Sequence, residues 1–187
     1  MKSIFVFSLC MAAMITVACS KSKDGNDILI PDTPRSEVPN ELVGKWLNGT
    51  FSMSNWWSYD GKNYLGNPYS RSTAFTFLKG GEAEFFQVIK TFNGTCATEG
   101  FTYFKGTVKF NAEDHSLTFY PQKGNYRGFY SCAGSSNFNR AAKKEELNPI
   151  TVYWNYETDT NNQVWMVTAF KQNANDSEKT YFKPSNW

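Results

Sequence analysis

The sequence predicts an all-β fold, a single antiparallel barrel of about eight strands with one short helix. Three observations point there. Aromatic residues make up 17% of the chain, and aromatic side chains suit a pleated, half-buried surface. Segments of period two recur between turn signals along most of the chain. Only Arg140 to Leu147, within "NRAAKKEEL", has the composition of a helix, and it is short.

The strands are read in order as Leu42 to Met53, Ser72 to Leu78, Glu82 to Phe92, Phe101 to Asn111, His115 to Cys132, Ile150 to Thr158, Gln163 to Lys171 and Lys179 to Lys183. "KGG" at Lys79 to Gly81, "NAED" at Asn111 to Asp114 and "DTNN" at Asp159 to Asn162 supply turns between them. A meander of this kind closes most economically as a barrel. A two-sheet sandwich is the structural alternative.

The first 40 residues read differently. Lys2 and the apolar run Ile4 to Val17 have the anatomy of a signal peptide and are too short for a stable transmembrane span. Thr16-Val17-Ala18-Cys19 resembles the lipobox of bacterial lipoproteins, which implies a signal over residues 1–18 and acylation of Cys19 as the first mature residue. Several acyl chains would bind a bilayer surface effectively permanently, since each buried methylene contributes about 0.8 kcal/mol. Ser20, in place of an aspartate that would resemble an inner-membrane retention signal, points to the outer membrane. The charged "SKSKDGND" resembles the export tags of surface lipoproteins. Residues 19–40, punctuated by Pro31, Pro34 and Pro39, read as a flexible tether. The folded domain is expected over residues 41–187.

Four cysteines are present. With Cys10 in the signal and Cys19 acylated, Cys96 and Cys132 remain, and an exported protein is expected to pair them. Two free thiols are the alternative. Pairing constrains the topology, because the two Cα atoms must come within about 7 Å. If "PQKG" at Pro121 to Gly124 were a hairpin turn, Cys132 would finish at the end of the barrel opposite Cys96. A single long strand bent near Pro121 brings the two together.

"LVGKW", Leu42 to Trp46, on a first strand entering such a meander, resembles the Gly-x-Trp signature of lipocalins and related calycins, carried here by Gly44 and Trp46. The chain is similar to lipocalin-like lipoproteins of Gram-negative gut bacteria. The resemblance implies a barrel whose Trp46 plugs a closed end while the open end admits a small apolar ligand.

Little in the sequence favours catalysis, and the chain is read as a binding protein, not an enzyme. His115 is the only histidine and sits in a turn, poorly placed to act as a base held by an orienting group. One histidine and two paired cysteines cannot make a zinc site, and no cofactor motif is present. Glu82 with Glu84, Glu145 with Glu146, and Glu99, Glu113 and Asp114 are read as solvated strand and turn charges; a glycosidase would need two carboxyls across a cleft. The formal net charge is +2 including Lys2, and no basic run suggests nucleic acid.

Binding is better supported. "NWWSYDGKNYLGNPY" carries Trp56, Trp57, Tyr59, Tyr64 and Tyr69 in a polar loop, where aromatic faces either present to a ligand or pack on themselves as an Ω-loop. "GNYRGFYSC" sets Arg127 and Tyr130 among aromatics. An inward Arg127 would fork onto an anionic head group; an outward one would stack on a ring. The triplets at Asn48, Asn93 and Asn175 are read as turn residues. The expectation is a lipid-anchored envelope protein that takes a small apolar or amphipathic ligand or a glycan. The rival is a filled barrel that docks on another envelope protein.

Overall fold

The computed structural model describes residues 33–50 and 71–186. The expected signal over residues 1–18, Cys19 and the first part of the expected tether lie outside the described residues, as do Trp56, Trp57, Tyr59, Tyr64 and Tyr69.

Nine strands form one antiparallel sheet: β1 Gly44–Asn48, β2 Arg71–Phe77, β3 Glu82–Asn93, β4 Cys96–Asn111, β5 Ser116–Tyr130, β6 Phe138–Ala141, β7 Ile150–Thr158, β8 Val164–Ala169 and β9 Thr180–Pro184. β4 pairs with β5, β5 with β7 and β9 with β1, so eight of the strands close into a ring. Closure satisfies the backbone groups that an open edge would expose.

The ninth strand, β6, adds to the upper half of β5, at Asn125 to Gly128, while β7 pairs with the lower half, at Ser116 to Phe119. β5 is the bent strand that the cysteines require. Its register against β4 shifts between Lys105 and Gly106, where the partners pass from Lys123 to Pro121 and Gln122 is left over. A Cβ on Gly106 would sit inside the Tyr120 carbonyl, so the bulge needs glycine there. Cys96 and Cys132 are disulfide-bonded, with Cα atoms 5.4 Å apart.

Three expectations need correction. The helix expected over Arg140 to Leu147 shrinks to a single 3-10 turn, Lys144–Glu146, because Arg140 and Ala141 belong to β6. Arg140 instead forks onto Glu146 through Nη1 and Nη2, both at 2.7 Å. β4 also begins at Cys96, five residues before the apolar run, since Gly94 (φ +64) allows a tight hairpin straight out of β3. Asn48 lies within β1 rather than in a turn.

One end of the ring is closed. The chain before β1 crosses it, with the Ser36 amide donating to the Val108 carbonyl at 3.1 Å and the Val38 amide to Lys79 at 3.1 Å. Thr107 Oγ1 donates to the Pro34 carbonyl at 2.9 Å. Val38, Leu42, Trp46, Phe77, Val108 and Met166 pack solidly just above this crossing. Trp46 Nε1 donates to the Leu42 carbonyl at 2.8 Å, which satisfies both groups in an apolar plug.

The two faces of the wall are both apolar over β1 to β5. Phe75, Phe77, Phe85 and Phe104 face inward with the plug. Leu47, Ala74, Phe86, Val88, Phe101 and Phe129 form a second buried cluster on the outer face.

Candidate ligand-binding cavity

The register stacks inward side chains into rungs, each running from strand to strand around the barrel. The lowest of these joins Gly44, Phe77, Ala83 and Gly106. Above it come Trp46, Phe75, Phe85 and Phe104, with Gly124 of β5 leaving room for the Phe104 ring. The third rung is Asn48, Thr73, Gln87, Thr102 and Tyr126, continued by Arg140 of β6. The fourth begins with Arg71 and Ile89.

The plug fills the barrel only to the second rung. Above it is a cavity of about 840 Å³, within the range of small-molecule sites. Its floor is aromatic. Phe75 lies 5.1 Å from Phe85 and 5.5 Å from Phe182 between ring centroids, and Phe85 lies 6.1 Å from Phe104 and 6.4 Å from Phe119. Phe75 and Phe85 are only half-buried although they point inward, because their upper faces border the void. Leu117 and Val152 complete the floor on the far wall.

The middle of the cavity is polar and uncharged. Thr73, Gln87 and Thr102 line it on one side, Thr168 and Thr180 on the other. Asn48 is committed, its Nδ2 donating to the Tyr181 carbonyl at 2.9 Å. Tyr126 meets the Phe104 ring edge-on at 5.5 Å, and the Arg140 guanidinium lies 5.0 Å over its face. Loss of hydration pushes the Tyr126 phenol up, aided by the Glu146 carboxylate and opposed by Arg140, so it stays protonated at neutral pH.

Among the described residues, the charged groups that line the cavity stand at the mouth, where Arg71, Glu178 and Lys179 border the opening; the Arg140–Glu146 fork lies behind Tyr126. Glu178 accepts from Lys171 Nζ at 2.7 Å and from the Asn175 amide at 3.1 Å, and these bonds hold its carboxyl below the usual range. Lys179 Nζ donates to Asp176 at 2.8 Å, which raises the ammonium and lowers the carboxyl. Phe170 stands at the rim and is 78% exposed.

Of the ligand-binding candidates named from sequence, Arg127 and Tyr130 lie among the described residues, and both fall elsewhere. Arg127 points to the outer face, 7% exposed, with its guanidinium 5.1 Å over the Phe101 ring. It takes the stacked role and does not line the cavity. Tyr130 ends β5 opposite Thr98 and is also off the lining. Glu82 pairs with Arg35 at 3.4 Å and Glu84 accepts from the Tyr103 hydroxyl at 2.8 Å, both on the outer face. His115, at φ +54 in the turn before β5, meets the Trp154 ring at a 40° tilt with centroids 5.3 Å apart.

The residues that shape the cavity were not singled out from sequence. "STAFTF" does alternate Thr73, Phe75 and Phe77 on one face, and that was the available signal. No family model matches the chain, and no curated protein matches it by sequence.

Proposed function

We propose that this is a lipid-anchored outer-membrane lipoprotein, lipocalin-like in architecture, that carries a small apolar or amphipathic ligand in its barrel. The observation that supports the carrier reading is the 840 Å³ cavity with an aromatic floor and an open, charged rim. A ligand would set its apolar end against Phe75, Phe85 and Phe182 and leave its most polar end near Arg71 and Lys179. A barrel whose function was only to dock on a partner would gain stability by filling this space, since each void forfeits packing. The lipid anchor and the envelope address rest on the sequence from Lys2 to Asp27 alone.

Native mass spectrometry of the chain from Ser20 to Trp187, recovered from its own compartment, tests the carrier. A reproducible extra mass that is lost on denaturation is expected. Thr102→Trp, which projects an indole into the void without disturbing the outer wall, should abolish it. Absence of any extra mass, or its survival in Thr102→Trp, would overturn the reading.

A further inference from the structure

The third rung narrows the ligand class, resting on the carrier reading above. Thr73, Gln87 and Thr102 occupy consecutive strands in direct register, so the three side chains span about 10 Å of wall at the ordinary strand spacing. None of the three donates or accepts a side-chain hydrogen bond among the described residues. On the opposite wall Thr168 and Thr180 face each other in register and are likewise uncommitted among the described residues. These groups border the cavity; of the neighbours that close the rung, Asn48 bonds through Nδ2 to the Tyr181 carbonyl and the Tyr126 ring lies under the Arg140 guanidinium.

A glutamine amide turned into a barrel is unfavourable unless water or a ligand bonds to it. Leucine at position 87 would have continued the aromatic floor upward at no such cost. The amide offers two donors and one carbonyl, and each threonine a donor and an acceptor. No carboxylate or cation stands among these five groups; Arg71, Glu178 and Lys179 are at the rim. The one cation that continues the rung, Arg140, stands behind Tyr126 and is already forked onto Glu146, so an ionised group drawn to this depth would lose its hydration with no uncommitted countercharge there among the described residues.

We infer that the ligand buries a neutral hydrogen-bonding group, a hydroxyl or an amide, at the level of Thr73, Gln87 and Thr102. A ring or chain continues from it down to the Phe75 and Phe85 floor. The site thus selects partly polar, uncharged interiors over pure hydrocarbon, and it keeps any ionised group at the mouth.

Naphthalene, 2-naphthol and 2-naphthoate share one apolar frame and test this directly. Their affinities are measured by calorimetry on the full chain carrying Cys19→Ser, which cannot be acylated. The expected result is 2-naphthol bound about tenfold more tightly than either of the others, as one well-made hydrogen bond gives. Gln87→Leu and Thr102→Val, each first checked for an unchanged melting transition, should bring 2-naphthol to the affinity of naphthalene and leave naphthalene unaffected. Equal binding of all three probes, tighter binding of 2-naphthoate, or variants that shift all three together would overturn the inference and leave the carrier standing. Failure of every probe to bind would overturn both.

Discussion

Phe85 and Phe86 are adjacent in sequence and stand on opposite sides of the barrel wall. The Phe85 ring lies 5.1 Å from Phe75 in the cavity floor, and the Phe86 ring lies 5.0 Å from Tyr103 on the outer face. Phe86 is 2% exposed, whereas Phe85 borders the void. Phe86→Ala is expected to cost about 3–5 kcal/mol of stability and leave ligand affinity unchanged. Phe85→Ala should cost less and weaken binding. Urea unfolding alongside probe titration separates the two, and equal behaviour of the pair would contradict the assignment of faces.

The disulfide closes a loop with a sequence separation of 36. In the chain-entropy model such a loop stabilises by about 3–4 kcal/mol. A double Cys96→Ser, Cys132→Ser chain should lose roughly that amount in denaturant unfolding, and the ring of strands should still form because each ladder is intact without it.

Trp46 matters through one hydrogen bond as well as through its bulk. Trp46→Phe keeps most of the plug and leaves the Leu42 carbonyl buried without its donor, which costs about 1–3 kcal/mol. Since the plug lies at the closed end, probe affinity should not move. A large loss of binding would show that the two ends are coupled.

Glu146 is held by Arg140, whose fork lowers its carboxyl from 4.5 to about 2, assisted by the Lys143 amide at 2.8 Å. A depressed folded value means that the unfolded chain takes up the proton first as pH falls. The contribution is therefore complete above about pH 4.5 and is lost as the pH drops toward 2. Carbon-detected NMR should give Glu146 a midpoint near 2, and Arg140→Gln should return it toward the ordinary carboxylate range.

Much of this architecture was legible in the chain. Period two located seven of the ring strands and the two halves of β5, and the pairing of Cys96 with Cys132 joined those halves through the bend at Pro121 that β5 contains. β6 was not legible, because "NRAA" carries good helix formers and only its pairing with Asn125 to Gly128 makes it a strand. The inward face of β3 was equally hidden, since apolar residues occupy both sides and buried clusters claim both. The polar rung depends on the mutual register of several strands, which no single segment encodes.

The crossing at the closed end also fixes a direction. The described chain enters at Pro34 to Ser36, under β4, and β9 returns to the same end, where the Ser185 amide donates to the Lys45 carbonyl at 2.9 Å. Both ends of the domain leave from its base, opposite the opening. Under the proposed lipid anchor, a tether joined there would hold the barrel like a cup on its stem, with the rim turned away from the anchoring surface, so cargo would be exchanged with the medium and not with the lipid beneath.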